Sequence, residues 1–134
     1  MPEITTIKSL EQGRASFALT CAQSGAKHAQ CAKYKSHVKK MPMMIKTNGL
    51  GSTIAFAFSK KNGSDKTWDL LVTHVENWLV MKGHLVENKS LHLEVVKVDS
   101  NDYRALTVEV LAFLNWLRRF AEGLIEKDDD DDQG

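Results

Sequence analysis

Five histidines and two cysteines are the side chains here best suited to hold a metal or activate a nucleophile. His28, His37, His74, His84 and His92 are scattered, with no HExxH pair and no matched His–Cys ligand set. His28 and Cys31 lie three apart on one expected helix, but Cys21 is the one nearby third ligand, so structural histidines outweigh a metal site. Nine residues separate Cys21 from Cys31, which suits neither a zinc knuckle nor a dithiol redox motif. Both are expected to be reduced, partly buried thiols of a cytoplasmic protein. No serine stands in a nucleophile elbow. Glu109 and Glu122 are too far apart along one helix for acid–base work, and Asp99 and Asp102 suit a helix start. The segment Thr47-Asn48-Gly49-Leu50-Gly51 lacks the spacing and lysine of a phosphate-binding loop. Its glycines imply either that a helix begins after them or that the backbone closely approaches another helix, an RNA backbone or a partner subunit. These residues point away from an enzyme, and no cofactor is expected.

Charge is more informative than the reactive side chains. Between Gln12 and Ser64 stand Arg14, Lys27, Lys33, Lys35, Lys39, Lys40, Lys46, Lys60 and Lys61, with no Asp or Glu among them. From Asp65 onward, fifteen acidic residues face eight basic ones, a balance of −7 hidden within a net charge of +1. Such asymmetry favours a polyanionic partner for the first half over a merely solubilising basic surface.

The elements that must position these cations read as helices. Ile7, Leu10, Phe17 and Cys21 share a helical face, with Ser9 and Gln12 as a candidate capping box and Gly25 as a stop. A second helix is expected from about Lys27, with Cys31, Tyr34, Val38 and Met41 as its stripe, ending where Pro42 would open the next. That third segment carries Met44, Ile45, Ile54, Phe56 and Phe58 up to Asn62 and Gly63. Ser64 or Asp65 caps a fourth helix with Trp68, Leu71, Val72, Val75, Trp78 and Leu79 at a 3.6-residue period, closed by Gly83. The segment Leu91–Val98 alternates like a strand, but a lone strand has no partner, so a short helix is expected. The last helix, from about Asn101 to Lys127, has a continuous stripe from Leu106 through Val110, Phe113, Leu114, Leu117, Phe120 and Ala121 to Leu124. The reading is an all-α, single-domain bundle of five to six helices over residues 1–127, with a long C-terminal helix. Residues 128–134 form an acidic tail expected to be disordered. No stretch reaches the roughly 20 apolar residues that span a membrane.

Three blocks carry a family resemblance: LEQGRASFA (residues 10–18), KYKSHVKKMPMMIKTNGLGSTIAF (33–56) and YRALTVEVLAFLNWLRRFAEGL (103–124). Together they resemble the small subunit of the type III-B CRISPR effector, the fifth protein of the Cmr RAMP module. The middle block is the most specific of the three. The resemblance implies a non-catalytic all-α subunit, copies of which stack along a backbone of other RAMP-module subunits holding the guide RNA. Those copies would line the path of the guide–target duplex, with RNA cleavage left to other subunits. It further implies that Lys33, Lys35, Lys39, Lys40 and Lys46 face the RNA, with Arg14, Arg104, Arg118 and Arg119 as secondary contacts. The acidic tail lies outside the pattern. A purely structural helical scaffold, with no direct RNA contact, is the competing expectation.

Overall fold

The apolar stripes can be buried only against one another, and they order six helices among the described residues. The computed structural model describes residues 2–128, with side chains from Ser9 onward. In chain order the elements are α1 (Pro2–Lys27), α2 (Cys31–Asn48), α3 (Leu50–Ser59), α4 (Thr67–Met81), α5 (Leu91–Glu94) and α6 (Ser100–Leu124). The all-α reading with a long last helix holds. Ile7 and the tail from residue 129 onward lie outside the side chains described.

The last helix is central, as its wide stripe predicts. It packs along both α1 and α2, while α4 lies on α2 and closes over α1 and α6. Its start is fixed by Asp99, whose carboxylate accepts from the Asp102 N–H at 2.8 Å and so satisfies one orphan donor of the first turn. At the junction of α1, α4 and α6 the rings of Phe17, Trp78 and Phe113 stack, Trp78 lying 5.9 Å from Phe17 and 5.6 Å from Phe113. Trp68 and Phe113 are buried, as expected from their stripes.

A carboxylate sits in the middle of this apolar junction. Glu109 is buried, and it accepts from Arg14 Nε at 2.8 Å, Arg14 Nη2 at 2.9 Å and Trp78 Nε1 at 2.9 Å. Burial alone would raise its pKa. The hydrogen bonds from Arg14 and Trp78, with the charges of Arg14 and His84, more than offset this and hold the carboxyl below its ordinary value. On the other side of the core, Tyr34 Oη and His74 Nδ1 share a hydrogen bond of 2.7 Å, and burial lowers the His74 pKa to about 4. Cys21 and Cys31 are both free thiols, and burial pushes that of Cys21 up to about 12.

Several sequence signals proved to be something else. Helix α1 begins at Pro2, so Ser9 and Gln12 are interior residues and not a capping box. Gly25 does not stop α1; a Cβ there would lie 2.3 Å from Tyr34 Cε2, so the residue is small to admit that ring. The second helix starts at Cys31 and runs straight through Pro42 to Asn48. Pro42 leaves the Val38 carbonyl without its intrahelical donor, a defect outweighed by burying Val38, Met41 and Ile45 on successive turns. The true break is Gly49, with φ +91°. Asp65 does act at the start of α4, accepting from Thr67 N at 2.9 Å. The alternating segment gives the short helix α5, with Leu91 and Val95 buried one turn apart.

Candidate nucleic-acid interface

Helices α2 and α6 run antiparallel, and the contacts at their two ends define the pairing. Lys35, near the start of α2, donates from Nζ to the carbonyl of Ile125 just past the end of α6, at 3.0 Å. Just past the other end of α2, Tyr103 Oη, one turn into α6, accepts from Gly51 N of α3 at 2.8 Å. A Cβ on Gly49 would stand 3.2 Å from that hydroxyl, so the glycines admit Tyr103. Of the partners weighed from sequence for this Gly-rich segment, it is another helix that the backbone approaches.

Between these ends lies an open groove of about 490 Å³, lined by Lys39, Pro42, Met43 and Lys46 of α2 and by Leu111, Ala112, Asn115 and Arg118 of α6. The α2 wall is one stripe at spacings of three and four. Leu111 and Arg118, seven apart, share a stripe on α6. Three cations therefore converge from segments some seventy residues apart, and no carboxylate is among the described residues that line the groove. Lys39 and Lys46 are exposed, and Arg118 is partly open, with a loose contact of 3.9 Å to Glu122. The floor is apolar and Asn115 adds an amide. The arrangement offers point charges and one forked guanidinium to phosphates, with little that could discriminate among bases.

The other expected contacts are distributed differently. Lys40 is exposed one position round from Lys39, outside the groove, and Lys33, seven residues earlier on the same side of α2, is half-buried. Arg104 and Arg119 are exposed on α6, and Arg104 lies two heptads, or roughly 21 Å, from Arg118 along the helix. Two of the expected contacts, Lys35 and Arg14, are engaged within the fold. Lys35 is 9% exposed, its ammonium held by the Ile125 carbonyl and, at 2.7 Å, by Asp128 Oδ1. Lys35 stands three residues before Val38, within the buried stripe, and that period was the available signal. Arg14 is committed to Glu109 and, at 2.7 Å, to Glu11. Its counter-signal was Glu109 itself, a charge lodged between Leu106 and Phe113 in the most apolar stripe of the chain, which requires a partner. Asn115, Met43 and Pro42, which help line the groove, carried no sequence signal of that role.

No group of three His, Cys, Asp or Glu side chains among the described residues is placed to hold a metal ion. No helix among them is long and apolar enough to cross a membrane.

The same fold is found in the crystal structure of a CRISPR-associated Cmr5 family protein from Thermus thermophilus. The TM-score is 0.70 at 23% identity, over 86% of this chain and 96% of that one. Residues 10–124 match the family model described as CRISPR-associated protein (Cas_Cmr5), a span containing both walls of the groove. The chain belongs to the Cas_Cmr5 family of CRISPR-associated proteins.

Proposed function

We propose that the chain is a non-catalytic small subunit of a CRISPR RNA-guided, RNA-targeting effector complex. In this reading it lines the guide and target RNA path and packs against other RAMP-module subunits and copies of itself. The observation that carries it is the convergence of Lys39, Lys46 and Arg118 on one groove with no carboxylate among its described lining residues. Cations that touch phosphates without reading bases suit a subunit that must accept any guide, because base pairing supplies the sequence specificity. No catalytic step is assigned to this chain. Each groove contributes a few screened contacts, and repetition along one strand would turn them into useful avidity.

The test is a salt titration of single-stranded RNA binding by the Lys39→Ala/Lys46→Ala/Arg118→Ala variant, in the assembled complex and in the isolated subunit. Three lost phosphate contacts lower the slope of log K against log salt by about 2. Affinity falls by similar factors across unrelated sequences. All three are open side chains, so folding is expected to change by less than about 1 kcal/mol. The competing scaffold reading has its own support in Met43, 66% exposed at the groove mouth and suited to a protein contact. An unchanged slope with an intact fold would favour that scaffold.

A further inference from the structure

A second cavity opens where α3, α4 and α5 meet, and it shares no lining residue with the α2–α6 groove. Its volume is about 130 Å³, close to the roughly 150 Å³ that takes one benzene-sized ring. The floor is apolar, from Ile54 and Ala57 of α3 and Val72 of α4. One wall is aromatic: Phe58 and His92 stack with centroids 3.9 Å apart and planes 17° apart. Phe58 is still 46% exposed, so the stacked pair keeps ring surface open to a third aromatic.

The α4 wall carries Asp69 and Glu76 on either side of Val72, at helical spacings of three and four. Glu76 is half-buried, and its Oε2 accepts from Leu91 N at 2.8 Å, which fixes the carboxylate at the cavity. Its Oε1 has no hydrogen-bond partner among the described residues. Carboxylates accept and do not donate, so a ring entering here must bring N–H donors. Lys61 is the cation among the described lining residues, its ammonium 5.8 Å from the centre of the Phe58 ring. An anion attached to the ring would meet it. An aliphatic amine would satisfy the carboxylates but leave the aromatic wall and Lys61 unused.

We infer that this cavity binds one unpaired, amine-bearing pyrimidine nucleotide, a cytidine phosphate, stacked on the Phe58–His92 wall with its exocyclic amine donating to Glu76 Oε1 and its phosphate on Lys61. The size admits a single ring, and a bicyclic purine would overhang it. Uracil has the same outline but carries a carbonyl oxygen where cytosine has the amine, so it sets acceptor against acceptor. A cytosine paired with guanine has that amine engaged and its faces stacked, so the site takes unpaired nucleotides only. The inference does not depend on the phosphate-binding role proposed for the α2–α6 groove.

The experiment follows amide NMR spectra of the full chain during titration with cytidine monophosphate and with uridine monophosphate. The amides of Phe58, Lys61, Leu91 and His92 should shift, with affinity about threefold to tenfold higher for the cytidine nucleotide. Phe58→Ala should weaken cytidine binding by a similar factor while the spectrum elsewhere is unchanged. Glu76→Gln is the sharper variant. Glutamine keeps a carbonyl for Leu91 N and turns its amide donors to the cavity, so the preference should invert toward uridine. A Glu76 that merely supports α5 would leave the ratio of the two affinities as it was. Absent shifts at these four residues, or equal affinities for the two nucleotides in the natural chain, would overturn the inference. Single-stranded oligocytidine separates the two sources of such a base. Binding tighter than the monophosphate, with the same amides shifted, assigns it to an RNA strand; binding no tighter assigns a free nucleotide. The Lys39→Ala/Lys46→Ala/Arg118→Ala variant should take cytidine monophosphate unchanged, so failure of the groove reading leaves this one standing.

Discussion

Lys35 and Glu109 occupy core positions on α2 and α6, where the helical period alone would call for leucine, and each is held by groups distant in sequence. A buried charge is costly unless hydrogen bonds and a counter-charge replace its water. Glu109 receives three such bonds from Arg14 and Trp78. Lys35 places its ammonium on the Ile125 carbonyl at the negative end of the α6 dipole. The two neighbours Lys35 and Lys39, one turn apart, should therefore behave differently. Lys35→Ala is expected to cost about 1–3 kcal/mol, because it removes a charge-assisted bond and a buried aliphatic stem. Lys39→Ala should change stability by no more than about 0.5 kcal/mol, as an open side chain. Urea denaturation of both variants checks this, and equal stabilities would mean that Lys35 does not fasten α6. The sequence showed that lysines were concentrated in this region, but not which were structural. The distinction lay in the register of Lys35 with Val38, and a cluster of like charges conceals register.

The elements were legible in proportion to how much of their stripe is apolar. Trp68, Leu71, Val75, Trp78 and Leu79 on α4, and Leu106 through Ala121 on α6, repeat so regularly that burial is their one solution. The middle of the chain was harder because its punctuation misleads. Pro42 looks like a boundary, yet tertiary burial carries α2 through it; Gly25 looks like a stop, yet it marks where Tyr34 packs. The real boundary, Gly49, was one of two neighbouring glycines, and only the backbone separates their roles. Gly49→Ala is expected to destabilise the fold by about 1–2 kcal/mol, since φ +91° is unfavourable for alanine and Tyr103 Oη leaves no slack. Gly123, in the last turn of α6 with open space beside it, is the natural control. Gly123→Ala should be neutral or stabilising by up to about 1 kcal/mol. Opposite signs in thermal or urea unfolding would identify Gly49 as the conformational hinge between α2 and α3. The groove itself was not legible, because Lys39, Lys46 and Arg118 meet only once the antiparallel pairing of α2 with α6 is known.

For the molecule as a whole, acid is the condition to which the core is most exposed. His74 is 7% exposed and hydrogen-bonded to Tyr34, with burial lowering its pKa from 6.5 to about 4. The unfolded chain takes up this proton at a higher pH than the folded one, so folding releases it. Stability is therefore full above 6.5 and declines as pH falls toward about 4, by up to about 3 kcal/mol in all. Urea unfolding across that window should show the decline, and His74→Gln should flatten it while lowering the neutral plateau. A wild-type profile that stays level down to about 4 would show that the imidazole is already charged in the fold.

Helix α2 is tied to α6 at its start by Lys35 on Ile125, and the chain just past its end is tied there by Gly51 of α3 on Tyr103. A beam fixed at two supports has little freedom to bow or swing, and the spacing between the walls is thereby set before anything enters. In the proposed role, an arriving RNA strand would find a slot of constant gauge, and none of the attraction it brings would be consumed in shaping the protein. In the proposed stack of copies, units with a fixed gauge would also keep a common pitch, so small angular errors would not accumulate from one to the next.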